Sequence, residues 1–389
     1  MLTHPAYRLS ALTNYFLKLG TTGFGGPVAL VAYMHRDLVV NKKWISEAEF
    51  KEGLALAQLA PGPLAAQLGI YLGYVHYGVI GATLAGFAFV VPSFIMVLLL
   101  GMAYKLFGGL AWMQAVFYGV SAAVVGIILI SLYKLTIKSI SRFTLEDMGQ
   151  HWILWLFYLV AAIITFVTKT ENLFVFLAAG LVYMAIKAPP GWLRRNKLSM
   201  IFLGIGFWEY QPAVLVKMAF FFAKAGTFVF GSGLAIVPFL HAGVVTETNW
   251  LTEQQFVDSI AVAMITPGPV VITVGFIGYL VAGFPGATVA ALATFLPCYL
   301  ITIIAAPYFK KIAQNKSIKA FVEGITAAVM GALAGAVAVI AMRTIVDVPA
   351  ILIATFTVAS LMFLPKVKEP ILILVAAIIG LFIKQITMF

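Results

Sequence analysis

At 389 residues the chain has the length of two or three soluble domains of roughly 150 residues each. Hydrophobic residues make up 62% of it and charged ones only 10%, against about 25% charge in a soluble protein, and the mean hydropathy is +1.04. No soluble fold could hide that much apolar surface, whereas a bilayer accepts it, so the composition specifies an all-α polytopic membrane protein. The net charge of +11, from 25 Lys and Arg against 14 Asp and Glu, sits between apolar runs. It therefore speaks for loop orientation rather than nucleic-acid binding. One cysteine, Cys298, excludes a disulfide framework, and the five histidines lack metal-ligand spacing, so no metal or cofactor is expected.

The first dozen residues, with Arg8 and no apolar stretch ending in a small-residue cleavage site, do not read as a removable signal. Apolar runs follow near 13–34, 79–104, 112–133, 152–168 and 172–187, each approaching the ~20 residues needed to cross ~30 Å. Between the first two lies a different object: Ser46 to Ala60, then Pro61-Gly62-Pro63, then Leu64 to His76. At 1.5 Å per residue each arm is only about 20 Å long. Neither arm can cross alone, so a re-entrant hairpin is predicted, with its Pro-Gly-Pro apex facing protein or a wet cavity. The basic stretch 187–197, with Pro189-Pro190 and Arg194-Arg195, reads as a linker. Beyond it, runs near 213–240, 284–308, 320–342, 349–364 and 370–388 repeat the pattern.

The repetition extends to individual residues. Phe16, Lys18, Gly20, Thr21, Phe24 and Gly25 align with Phe222, Lys224, Gly226, Thr227, Phe230 and Gly231, always 206 residues on. The register continues through His35 and His241, Trp44 and Trp250, and Pro61-Gly62-Pro63 with Pro267-Gly268-Pro269. One deletion then shifts it to 205, pairing Pro92 with Pro297 and Gly119 with Gly324. Two repeats follow, 1–197 including the linker, and 198–389. Their basic residues occupy different loops: Arg36, Lys42 and Lys43 follow the first run of one half, whereas 241–258 holds no Lys or Arg. Conversely, the third loop carries only Lys105 in the first half but Lys310, Lys311, Lys316 and Lys319 in the second. Equivalent loops are thus expected on opposite sides, giving five crossings plus a hairpin, twice, in inverted topology with both termini outside. A further short helix in 1–12 or 198–210 would move the termini.

Inverted repeats of this kind place a substrate site at the midplane, among broken helices whose N-terminal ends face anions. Four breaks are present: Gly23-Phe24-Gly25-Gly26-Pro27, Pro61-Gly62-Pro63, Gly231-Ser232-Gly233 and Pro267-Gly268-Pro269. Proline suits the first helical turn, the amides beyond it are free donors, and glycine lets an oxyanion approach the backbone. A single such break would be an ordinary packing kink; four at repeat-equivalent positions favour a site. Catalytic frames are missing, since neither a Gly-x-Ser-x-Gly elbow nor a phosphate loop occurs, and an enzyme is not expected.

The Phe24-Gly25-Gly26-Pro27 signature, the Trp44-Ile45 and Glu47 to Phe50 stretch and the Pro61-Gly62-Pro63 turn resemble the chromate transporter family. The second half, with Trp250-Leu251-Thr252-Glu253 and Pro267-Gly268-Pro269, is similar to that of its long, two-domain members. The resemblance implies export of chromate across the inner, plasma membrane, with sulfate as a related oxyanion. Residue chemistry suits such a dianion. Lys18 and Lys224 are expensive charges at depth, and either bind substrate or snorkel to an interface. Thr21, Thr22, Ser232 and Thr273 offer hydroxyls and Gln58 and Gln67 flank the first Pro-Gly-Pro, unless each satisfies its own helix. The candidate binding set also holds Gly25, Gly26, Gly62, Gly231, Gly233 and Gly268. Arg36 is either an entrance clamp or a topology-setting charge, with no basic partner in the second half. Glu52 and Asp258, nine residues before their turns, are the carboxylates placed to carry a proton opposite the anion, or else face an interface. Export needs no proton in principle, because a dianion leaving a negative-inside cell gains roughly 4.6 kcal/mol per 100 mV. A carrier of sulfate or another oxyanion, working in either direction and with or without proton coupling, and a passive anion channel remain as alternatives, and the lipid bilayer and a possible homodimer are the other expected partners.

Overall fold

The computed structural model describes residues 7–24, 26–108, 110–170, 172–190, 214–227, 229, 233–308, 315–364, 367 and 369–387, which contain helices and no strand. The expected first run divides into α1 (Leu9–Thr22) and α2 (Gly26–Met34), the latter continuing as a π-helical turn, His35–Asn41. Then come α3 (Glu47–Leu59), α4 (Leu64–Phe107), α5 (Ala111–Ser139), the short α6 (Leu145–Gln150), α7 (Trp152–Thr168) and α8 (Leu173–Lys187). The second half runs α9 (Val214–Thr227), a 3-10 turn Gly233–Ile236, α10 (Val237–His241), a π-helical turn Ala242–Glu247, and α11 (Glu253–Ile265). It ends with a 3-10 turn Val270–Ile272, α12 (Thr273–Ala305), α13 (Lys316–Thr344), α14 (Val348–Phe363) and α15 (Glu369–Thr387). Four of these, Leu64–Phe107, Ala111–Ser139, Val270–Tyr308 and Lys316–Thr344, are long and apolar enough to cross a membrane. The sequence pattern anticipates most boundaries within a few residues. It does not anticipate α6, whose start is set by the Thr144 side chain accepting from the Asp147 amide.

Local chemistry recurs along the 206-residue register. Ser46 caps α3 in a reciprocal box with Glu49, and Thr252 caps α11 in the same way with Gln255. Before each box one residue, Lys43 or Asn249, takes a left-handed conformation with φ of 52° or 50°. His35 then pairs with Glu47 and His241 with Glu253, both at 2.8 Å, tying each π-helical turn to the helix after it. Hydrogen bonds from His35 and then Lys51 hold the Glu47 carboxyl below the usual carboxylate range.

Neither α4 nor α12 is one straight rod. Gly78 and Gly283 have φ of 60° and 64°, and a Cβ added at Gly81 would overlap the carbonyl of Gly73, eight residues earlier. In a continuous helix those residues would stand about 12 Å apart, so the chain doubles back at Gly78. Gly278 and Gly286 meet in the same way around Gly283. Leu64 to Tyr77 is therefore a separate short arm, paired in sequence with α3 across the Pro-Gly-Pro turn.

The helices after each hairpin exchange partners. α14 and α15 from the end of the chain pack on α5, while α7 and α8 from the first half pack on α13. Glycines permit these close crossings: Gly119 lies on the Ala376 carbonyl and Gly126 on that of Ala354, as Gly324 lies on Ala179 and Gly331 on Tyr158. The largest core accordingly mixes both halves, with Val124, Ile127 and Phe176 beside Phe222, Val274 and Val329. Without a hydrophobic drive between helices in lipid, such backbone proximity supplies much of the cohesion. Gly331→Ala, whose new methyl would overlap the Tyr158 carbonyl, is expected to destabilise by about 1–3 kcal/mol. Gly149→Ala, with nothing within 4 Å of the new methyl, should leave the apparent melting temperature in detergent unchanged.

Candidate functional site

A backbone amide or carbonyl at a chain break has no helical partner, and in an apolar interior it must find one elsewhere. Here the breaks satisfy one another across the halves. The Gly62 amide donates to the Val229 carbonyl at 2.5 Å, and the Gly268 amide donates to the Gly23 carbonyl at 2.9 Å. Gly233 lies against Val270 and Val271, just beyond the second Pro-Gly-Pro, which links the remaining break to the same cluster. The described residues at or beside all four breaks thus form one connected cluster. Their positions demand glycine: φ is 141° at Gly62 and 94° at Gly268, and a Cβ there would strike Cys298 or the Ser93 hydroxyl respectively. Cys298 and Ser93 are themselves 205 residues apart and both fully buried.

Two helix starts open onto this cluster. Pro63 precedes α4 and Pro269 precedes the Val270–Ile272 turn, and neither receives a side-chain cap. The first-turn amides of a helix have no intrahelical acceptor, and at α4 they belong to the buried residues Leu64, Ala65 and Ala66. Gln67 is 1% exposed; its amide nitrogen donates to the Pro61 carbonyl at 2.6 Å, and its Oε1 has no partner. Gly26, at the start of α2, has φ of 71° with open space around its Cβ position.

A cavity of about 830 Å³ leads to this region from the first half. It is lined by Lys18, Thr22 and Gly23 together with Arg36, Asp37, Lys42 and Trp44, and both Lys18 and Thr22 are exposed. Gly23 belongs to both features, since its carbonyl receives the Gly268 amide. Three cations against one carboxylate give the lining a net positive charge. Asp37 and Asn14 were not read from the sequence as site residues; an acid beside Arg36 in a basic loop was the available signal.

The other predicted residues divide clearly. Thr21 and Thr22 donate to the Leu17 and Lys18 carbonyls of their own helix, at 2.7 and 2.8 Å, and Thr273 donates to Val270. Those hydroxyl protons are committed to backbone. Gln58 is exposed at the end of α3. Lys224 is exposed on α9, 5.5 Å over the Phe239 ring. Gly25, Gly231 and Ser232 lie outside the described residues, as do 191–197 of the linker and Lys310, Lys311, Lys366 and Lys368. The two carboxylates have diverged. Glu52 is half-buried, whereas Asp258 is 1% exposed and accepts from Tyr104 at 2.8 Å, Gln254 at 2.8 Å and Ser121 at 3.3 Å. Its donors come from α4, α5 and α11, so Asp258 ties the second half's hairpin to the first half's long helices. Among the described residues no group of three His, Cys, Asp or Glu could hold a metal ion.

The family model described as chromate transporter matches residues 10–184 and 216–381. The chromate transport protein of Cupriavidus metallidurans is 60% identical over 97% of this chain and 94% of its own length. A probable chromate transport protein of Synechococcus elongatus is 56% identical over 97% of this chain and 96% of its own. The chromate transport protein of Pseudomonas aeruginosa is 29% identical over 97% of this chain and 92% of its own. No solved structure matches the chain.

Gly268→Ala should lower the apparent melting temperature through two separable effects, the left-handed backbone and the clash with Ser93. Adding Ser93→Ala is expected to return the steric part only, leaving a deficit of about 1–2 kcal/mol from the backbone. Full recovery in the double variant would show that the conformation at position 268 carries no strain.

Proposed function

The chain belongs to the chromate transporter family, and from that footing we propose that it is a secondary transporter exporting chromate across the plasma membrane. The observation that carries this reading is the crossed pairing of breaks, Gly62 to Val229 and Gly268 to Gly23. Such pairing supports an inverted-repeat carrier whose halves, 1–197 and 198–389, share one oxyanion site near mid-bilayer. In this reading the uncapped amides after Pro63 and Pro269 bind the anion, and Gly26, Gly62 and Gly268 let it approach the backbone. Lys18, which lines the cavity, supplies a full charge that the amides lack. Chromate and sulfate are both tetrahedral dianions, so the same donors accept either.

Electrical energy is sufficient to drive the cycle outward. Two charges moving down a potential of 100 mV gain roughly 4.6 kcal/mol, which sustains about a thousandfold gradient. Asp258 need not carry a proton for this, because its three hydrogen bonds already give it a role in joining helices.

Proteoliposomes held at a set potential and clamped pH test the reading. Chromate flux is expected to saturate, to respond to voltage, to show counterflow and to be inhibited by sulfate. Lys18→Ala and Gly26→Leu should each reduce it by roughly tenfold, the loss of one charged contact or one close backbone approach. Large unitary conductance without saturation would instead identify a channel, and sulfate flux without chromate flux a sulfate carrier.

A further inference from the structure

The duplicated register gives each cavity-lining residue a counterpart in the second half; Lys18 is matched by Lys224, but at several other positions the polar chemistry is lost. Arg36 becomes Ala242, Asp37 becomes Gly243, Lys42 becomes Thr248 and Tyr15 becomes Phe221. Phe221 stacks on Phe239 with centroids 5.4 Å apart and meets Trp250 edge-on at 6.0 Å. Its ring lies so close over Gly243 that even a methyl group there would overlap it. The place that the Asp37 side chain takes in the first half is therefore occupied by the Phe221 ring in the second.

In the first half Arg36 and Asp37 are hydrogen-bonded. Arg36 donates from Nε to Asp37 Oδ1 at 2.9 Å, with its guanidinium carbon 5.2 Å over the Tyr33 ring. The Tyr15 hydroxyl donates to the other oxygen of Asp37 at 3.4 Å. Asp37 thus engages only the Nε of Arg36, and the two terminal nitrogens have no partner among the described residues. Lys18 and Lys42 have no carboxylate partner among the described residues either, and Lys42 rests 4.6 Å over Trp44. A planar fork fixed on two sides, with two further cations, is suited to bidentate capture of a tetrahedral dianion.

We infer that this cavity is a one-sided loading station for a divalent oxyanion, adjoining the junction of breaks at Gly23, with Asp37 positioning Arg36 and Phe221 removing the equivalent station from the second half. The identity of the anion rests on the proposed transport of chromate; the one-sidedness does not. Loading at a basic vestibule raises the local anion concentration and makes capture dependent on ionic strength. Asp37 is a test of mechanism by sign. If it were only a negative charge in the cavity, removing it would strengthen anion binding; as a positioning residue, its removal weakens binding.

The test uses the full chain with sulfate as the probe, at ionic strength held constant with chloride. The native cysteine, Cys298, is buried, so added cysteines can be followed by their rate of modification with N-ethylmaleimide. Asn41→Cys reports on the cavity and Glu247→Cys on its counterpart, both exposed positions. Sulfate should slow labelling at 41 and not at 247. Arg36→Lys, which keeps the charge but loses the fork, and Asp37→Asn should each raise the half-protecting sulfate concentration roughly tenfold. Asp37→Glu should restore part of the loss. Equal protection at both positions, no protection at either, or tighter sulfate binding in Asp37→Asn would overturn the inference. Protection at 41 in a protein without chromate flux would preserve the station while rejecting the transport reading.

Discussion

Peptide groups freed from a helix within an apolar interior must be hydrogen-bonded by the protein itself, and that constraint organises this molecule. Each half interrupts its first run and then its hairpin, releasing amides and carbonyls that its own helices cannot use. The halves answer each other, with the hairpin apex of one donating to the first break of the other, Gly62 to Val229 and Gly268 to Gly23. Broken helices are tolerated because the breaks meet across the two halves and are buried there. Removing one half would orphan the turns of the other.

The same interdependence governs the long helices. α5 is clasped by α14 and α15, and α13 by α7 and α8, so each central helix is held by the terminal helices of the opposite half. Small residues make this possible, as Gly119 and Gly324 show by lying on carbonyls of the opposite half. Such packing gains little from the hydrophobic effect within a bilayer and depends on close van der Waals contact, which one added methyl removes. Asp258 contributes a polar version of the same linkage through Tyr104 and Ser121.

On this near-symmetric scaffold the side chains are not symmetric. Backbone conformations recur closely, from the left-handed Lys43 and Asn249 to the capping boxes and the His–Glu pairs. Charge recurs only in part: Lys18 is matched by Lys224, but Arg36, Asp37 and Lys42 border an open cavity, while Phe221, Phe239 and Trp250 pack together. Backbone geometry is fixed by a shared requirement for hydrogen bonding, whereas cavity walls are free to differ, so direction-dependent behaviour is free to evolve there.

The sequence alone determined the all-helical membrane class, the family resemblance, the positions of the chain breaks and most helix boundaries, because hydropathy and glycine or proline placement act locally. The register between halves was also legible, since duplicated residues can be matched without knowing their surroundings. Tertiary structure alone decided which break pairs with which, and that α7 and α8 pack on α13. It also decided that the Thr21 and Thr22 hydroxyls turn back to their helix, that Asp258 and Glu52 occupy different environments, and that Phe221 takes the place matching the Asp37 side chain. Periodicity reports that a face is buried but not against what, and a hydroxyl or carboxylate has several candidate partners until the helices are brought together. Partner identity is a property of three-dimensional proximity, and residues such as Gly62 and Val229, far apart in the chain, have no local signal that could announce their hydrogen bond.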